Sequence, residues 1–193
     1  MPRYLTVEQI KAYCRNEIPT DDDEFVEAAG DAAEMALDAA CQRRFAVAGA
    51  ATARVFIPPC LDALRIHDCT TVTSVVNNGS TVLAANYQLE PLNGLTWAGE
   101  TRPYDQIRLL SGSWSRDGDE ATTSITATWG WAAIPDRITQ AALILAKEII
   151  TNRDEVKLGL VGFSDVGGVV ARTNPIVRDT IKDYRRLESF GIG

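Results

Sequence analysis

Trp129-Gly130-Trp131-Ala132-Ala133-Ile134-Pro135 decides the fold, because it ends a strand and starts a helix. Before it, Ile125, Ala127 and Trp129 alternate with Ser124, Thr126 and Thr128, the period of a half-buried strand. After it, Pro135 suits the first turn of a helix, where a missing N–H is no loss. Ile138, Ala141, Ala142, Leu145 and Ile149 then recur at helical spacing, which predicts a helix to about Asn152. The stretch joins a β-rich middle to a helical end.

Upstream, two helices are expected. The first covers roughly Val7 to Arg15, and Thr6 and Gln9 stand at capping-box spacing. Ile18-Pro19-Thr20 is a break. The second runs from about Asp22 to Arg44 and opens on Asp21-Asp22-Asp23-Glu24, carboxylates placed where the helix dipole is positive. Helix capping explains this acidic run better than a metal site, since no other ligand converges on it. Ala28, Ala29, Ala32, Ala33, Ala36, Ala39 and Ala40 make it a strong helix former that neighbours can approach closely. Phe25, Val26, Met35 and Leu37 are its expected larger contacts, and the pattern reads as a central helix packed on several sides.

From about Ala51 to Trp131, Thr, Val and aromatic residues rise and turn signals recur. Asn78-Gly79 between Val75-Val76 and Val82-Leu83 is a strong hairpin signal, because both residues tolerate positive φ. Asn93-Gly94 and Asp117-Gly118 repeat that chemistry. The expected strands are Arg54 to Ile57, Thr71 to Val76, Tyr87 to Leu89, Ile107 to Leu109 and Ser124 to Trp129. Short strands at this spacing suggest a small antiparallel sandwich or an open barrel.

Beyond Asn152, Leu158 to Val170 is rich in glycine yet holds Leu158, Leu160, Val161, Phe163, Val166, Val169 and Val170. A free surface loop is more polar. These side chains are expected to cover the chain's own core, a neighbouring subunit or a partner. A last helix starts at Asn174-Pro175 with Val177, Ile181, Tyr184 and Leu187 as its apolar stripe, and Tyr184 joins the expected contact set. The fold class is therefore α+β: a bundle of about four helices with an antiparallel β-rich subdomain inserted between the second and third. Residues 1–50 and 132–193 form the helical part, with a Gly-rich loop at 153–172, and residues 51–131 form the insertion.

Composition narrows the function. At 193 residues and 46% apolar content, the chain is long enough for one domain with a sizeable insertion. No apolar run approaches the ~20 residues needed to cross a bilayer, and the amino-terminal residues carry no secretory pattern, so synthesis and retention in a cytoplasm are expected. A net charge of −7 argues against tight non-specific nucleic-acid binding, which rests on many cationic contacts to phosphate. It leaves open a wall past which DNA slides, since an acidic surface repels phosphate. Cys14, Cys41, Cys60 and Cys69 lack the spacing of a disulfide scaffold and read as thiols.

Catalytic and ligand-binding motifs are weak throughout. Cys60, His67 and Cys69 lack a Cys-x-x-Cys pair and a fourth ligand, so no metal is expected. Gly162-Phe163-Ser164-Asp165-Val166-Gly167 puts Val166 where a nucleophile elbow needs glycine. The glycines form neither a phosphate loop nor a dinucleotide fingerprint, and no cofactor is expected. Asp117-Gly118-Asp119-Glu120 lacks calcium-loop spacing. Trp97, Trp114, Trp129 and Trp131 have no basic groove beside them and read as core.

In order along the chain, several segments resemble the head-to-tail connector, or adaptor, proteins of long-tailed bacteriophages. Leu5 to Tyr13 resembles that family's opening helix. Asp21-Asp22-Asp23-Glu24-Phe25 with the alanine-rich segment resembles its second, and Cys41-Gln42-Arg43-Arg44-Phe45 that helix's close. Thr71 to Gly79 and Tyr87-Gln88-Leu89 resemble its β-rich middle. Gly130-Trp131-Ala132-Ala133-Ile134-Pro135 matches its Gly-aromatic-x-x-aliphatic-Pro passage into the third helix. The resemblance covers about the first 150 residues. It implies a non-enzymatic virion protein of the neck, made in the bacterial host, that forms a homo-oligomeric ring, generally a dodecamer, below the portal protein. Such a ring extends the DNA channel and docks the next neck or tail-terminator protein. Genomic DNA passes through without sequence-specific binding, and no membrane is involved. Asp154, Glu155 and Asp165 are then candidates to line the channel.

Three rivals remain in view. A stopper or tail terminator is also a ring but tends to be β-dominated. A small serine hydrolase would use Ser164 and His67. A single-strand-binding barrel would stack bases on its tryptophans.

Overall fold

The computed structural model describes residues 4–15, 22–59, 61–94, 99, 101–115, 120–152 and 174–186. The chain divides into two compact units, Met1–Phe45 with Ile134–Gly193, and Ala46–Ala133. Among the described residues, the first holds four helices and the second one antiparallel sheet of six strands, which is the α+β class expected.

In the helical unit, α1 spans Val7–Tyr13 and begins on a complete capping box between Thr6 and Gln9. α2 spans Asp23–Cys41 and ends on Gln42 in the left-handed region, φ 51°. α3 spans Asp136–Thr151, one residue after Pro135, which caps it in an extended conformation. α4 spans Pro175–Tyr184, and the Asn174 side chain accepts from the N–H groups of Ile176 and Val177. α2 packs on α1, α3 and α4. Val26, Ala29, Ala33 and Leu37 bury one face of it with Ile10, Ala142, Leu145 and Val177. A Cβ on Gly30 would stand 2.8 Å from Ile10 Cδ1, so glycine sets how closely α1 lies on α2. Two expectations change here. Met35 is 68% exposed and supplies no core contact. Asp22 caps α2 without a side-chain hydrogen bond, while Asp23 pairs with Lys11 of α1. The acidic run therefore acts on the dipole and on a neighbouring helix rather than as a hydrogen-bonded cap.

The strands are β1 (Thr52–Phe56), β2 (Ala63–Asn77), β3 (Ser80–Thr81), β4 (Tyr87–Glu90), β5 (Tyr104–Leu109) and β6 (Thr123–Trp129). Their order is β1-β6-β2-β5-β4, with β3 also on β2. The strands make a single sheet rather than the two facing sheets of a sandwich, and the reason is β2. Its first half pairs with β5 and its second half with β6 and β3. Register shifts near Cys69 and near Val72–Ser74 mark bulges, which bend a strand and raise its twist. Both halves then serve one core: Leu64, Ile66, Cys69, Val75, Ile107, Trp114, Ile125, Ala127 and Trp129. β6 alternates as its sequence requires, with Ile125, Ala127 and Trp129 buried and Ser124, Thr126 and Thr128 half-buried. Asn78 and Gly79, at φ 46° and 75°, turn the β2–β3 hairpin.

Candidate assembly surfaces

The β unit is entered and left at one place. Trp131 N–H donates to the Ala46 carbonyl and Ala48 N–H to the Trp131 carbonyl, both at 2.8 Å. Gly130 N–H donates to the Asp68 carbonyl at 2.7 Å. Trp131 is buried beside this crossing. Gly130 and Trp131 with Ala46, Ala48 and Asp68 thus form a clasp that closes the β unit on itself.

Polar contacts fasten both units internally. In the helical unit, Glu34 Oε1 accepts the N–H groups of Tyr4 and Leu5 at 3.0 and 2.8 Å, and Asp38 Oδ1 accepts that of Phe45 at 3.1 Å. Burial pushes the Asp38 carboxyl up to about 6, against the pull of the Phe45 N–H and of Arg44. Arg137 of α3 bonds Asp183 of α4 at 2.5 Å. In the β unit, Arg108 donates to Glu90 at 2.7 Å and to Asp62 at 2.5 Å. The Arg108 guanidinium holds the Glu90 carboxyl below its ordinary range. These groups are used in structure.

Cys69 and His67 have different surroundings. Burial pushes the Cys69 thiol up to about 12, and it belongs to the sheet core. His67 is exposed, with its ring 5.5 Å from Phe56 and 6.0 Å from Trp129. Cys60 lies outside the described residues. Among the described residues no group of three His, Cys, Asp or Glu side chains is placed to hold a metal. Trp114 and Trp129 are buried and donate from Nε1 to the carbonyls of Asp62 and Thr52, so their faces are committed to the core rather than open to bases. Trp97 lies outside the described residues, as does Ser164.

Of the expected contact set, Leu158, Leu160, Val161, Phe163, Val166, Val169 and Val170 lie outside the described residues. So do the channel candidates Asp154, Glu155 and Asp165. Tyr184 is described: it is 1% exposed and meets Phe45 edge-on with ring centroids 6.0 Å apart. Its ring is used inside the helical unit.

Neither a protein-family model nor a curated protein matches the chain. Solved structures do. A chain in the neck of an empty gene transfer agent particle, computed with C6 symmetry, matches with a TM-score of 0.61 and 18% identity, over 97% of this chain and 92% of that one. The chain shares its fold with that neck subunit. A chain in the virion of a native gene transfer agent particle matches at 0.58 and 20% identity over the same shares. A chain in the neck of the native particle, computed with C12 symmetry, matches at 0.51 and 18% identity over 99% of this chain and 98% of that one. Both units are included in these matches, so the inserted sheet is part of the shared fold and not an addition peculiar to this chain.

The surfaces that spacing did not reveal are the two sheet edges. Val55 and Ile57 are exposed at β1, and Leu83 and Leu92 are exposed on either side of β4. Strand order decides which strands are edges, and order is not written in any single strand's sequence.

Proposed function

We propose that the chain is a structural subunit of a phage-like virion neck, an adaptor that forms a ring below the portal and carries the DNA channel toward the tail. The observation that carries this reading is the likeness to gene transfer agent neck chains over nearly the whole length of both proteins. The cyclic symmetry of those necks supports a ring, and C12 suits a dodecamer. The order of motifs from Leu5 to Pro135 supports the adaptor role among neck parts. The buried tryptophans and structurally committed carboxylates support a scaffold rather than an enzyme. The negative charge of −7 supports a channel wall that does not hold DNA.

Rings are built from heterologous contacts, one face of a subunit on a different face of the next. The apolar Gly-rich segment from Leu158 to Val170 and the downstream neck or tail-terminator protein supply further contacts in this reading. Negative-stain imaging of the purified protein, alone and with a portal ring, tests it. A ring of twelve seated on the portal is expected. A protein that stays monomeric with the portal present and instead caps purified tails belongs to a different neck position.

A further inference from the structure

The β unit ends in two edges. β1 pairs only with β6, and β4 only with β5, among the described residues. An edge strand presents a row of N–H and C=O groups ready to pair with another chain, and folds usually blunt it with charge, proline or a bulge. β1 carries five regularly paired residues with no bulge, and its one charged residue, Arg54, lays its guanidinium 4.6 Å from the centre of the Trp129 ring. Val55 and Ile57, 67% and 52% exposed, lie along it. β4 is four residues long; Leu83 precedes the 3₁₀ turn Ala84–Asn86 that leads into it and Leu92 follows it by two residues, each 65% exposed. Exposed apolar side chains thus accompany both free edges of the same sheet.

We infer that the two edges are halves of one joint between copies of this chain: the outer edge of β1 in one subunit pairs with the outer edge of β4 in the next. The inference rests on the ring reading above and names the contact that builds the ring. Charge permits this pairing, with Arg54 lying over Trp129 and Glu90 held by Arg108 within the subunit. Arg54 is the only charged residue of β1 and Glu90 the only one of β4, so β1 against β4 opposes no like charges. A two-fold pairing of β1 with itself in register sets Arg54, its central residue, opposite a second Arg54, and like charges directly opposite destabilise a strand pair. That pairing also stops at a dimer. Edge to opposite edge is heterologous and leaves a free edge for the next copy until the ring closes.

The test uses the full chain and the variant Val55→Glu, which sets an added carboxylate on the exposed edge strand β1. Val55 is exposed, so the variant monomer is expected to melt at the wild-type temperature. Native mass spectrometry is expected to show ring formation weakened at least tenfold. Hydrogen exchange of alternate amides in Ala53–Ile57 and Tyr87–Glu90 is expected to slow at least tenfold in the wild-type ring relative to the monomer. A ring that forms equally well with Val55→Glu, with those amides exchanging as in the monomer, overturns the edge joint and leaves the ring reading standing. A wild-type chain that forms no ring, alone or on a portal, overturns both.

Discussion

A Cβ placed on Gly130 would stand 2.5 Å from the carbonyl oxygen of Ala46, and Gly130 holds φ 122°. The clasp of the β unit therefore requires glycine twice over, for backbone conformation and for room. Gly130→Ala is expected to cost at least about 2 kcal/mol, since a disfavoured backbone region alone costs about 1–3 kcal/mol. Thermal denaturation checks this, with each kcal/mol expected to lower the midpoint by about 2–4 °C in a chain of this size. An unchanged midpoint would mean that Ala46 and Ala48 move aside freely.

Glu34 is the second sensitive position. Leu5 is buried, and its N–H depends on Glu34 Oε1. Glu34→Ala leaves a buried donor unpaired, which costs about 1–3 kcal/mol. Glu34→Gln keeps an acceptor and is expected to lose less. Urea unfolding of the two variants checks the ranking, and equal losses would show that the carboxylate charge, not its acceptor oxygen, holds the amino-terminal segment.

Asp38 gives a pH dependence of known sign. Its carboxyl is raised from 3.8 to about 6, chiefly by burial. The native state then holds a proton more tightly than the unfolded chain, so the Asp38 contribution is greatest below about pH 4 and is lost as pH rises to about 6. Glu90 acts in the opposite sense, because its carboxyl is lowered by its bond to Arg108, and its contribution is lost on acidification below the ordinary glutamate range. Asp38→Asn is expected to flatten the decline between pH 4 and 6 and to leave the acid limb in place. Melting curves across pH for the wild type and variant decide it, and parallel profiles would place the titration elsewhere.

Period and turn chemistry made part of this fold legible. Ser124 to Trp129, Ile138 to Ile149, Thr6 with Gln9, and Asn78-Gly79 each carry a local rule that the tertiary structure obeys. The alanine-rich helix was legible as a helix but not in phase: small residues on every side leave its buried face undecided, and Met35 lies outward. The first half of β2 escaped because its buried positions include the charged Asp68 beside Leu64 and Ile66, so its alternation is not one of apolar against polar residues throughout. Glu34 carries no local signal, since its partners lie about thirty residues upstream. Edge strands were hidden for the same reason, being a property of strand order.

Trp129 ties the core to the β1 edge. Its ring packs against Phe56 at 5.9 Å and under Arg54, and its Nε1 bonds the Thr52 carbonyl at 2.8 Å. Trp129→Ala is expected to cost roughly 3–5 kcal/mol. Trp129→Phe keeps most of the volume and loses the Thr52 bond, worth about 0.5–1.5 kcal/mol. It is expected to raise hydrogen exchange in Thr52–Phe56 before the rest of the sheet. Uniform loosening across all six strands would contradict a local role at that edge.

The assembled ring is expected to hold duplex DNA weakly. A basic wall repeated around a channel releases counterions on contact with phosphate and binds steeply with falling salt. This chain carries 26 acidic against 19 basic residues, which keeps that contribution unfavourable when the charge is repeated around a ring. Several cations are already engaged: Arg108 by Glu90 and Asp62, Arg137 by Asp183, and Lys11 by Asp23. Asp154, Glu155 and Asp165 are the carboxylates proposed for the lumen. At physiological salt, the ring is expected to bind duplex more weakly than the roughly 10⁻⁴ M limit of ordinary non-specific binders. Lys variants at those three positions are expected to create salt-sensitive affinity where they face the channel and to change nothing where they do not. Tight, salt-sensitive binding by the unmodified ring would contradict a passive channel and favour a protein that grips the genome.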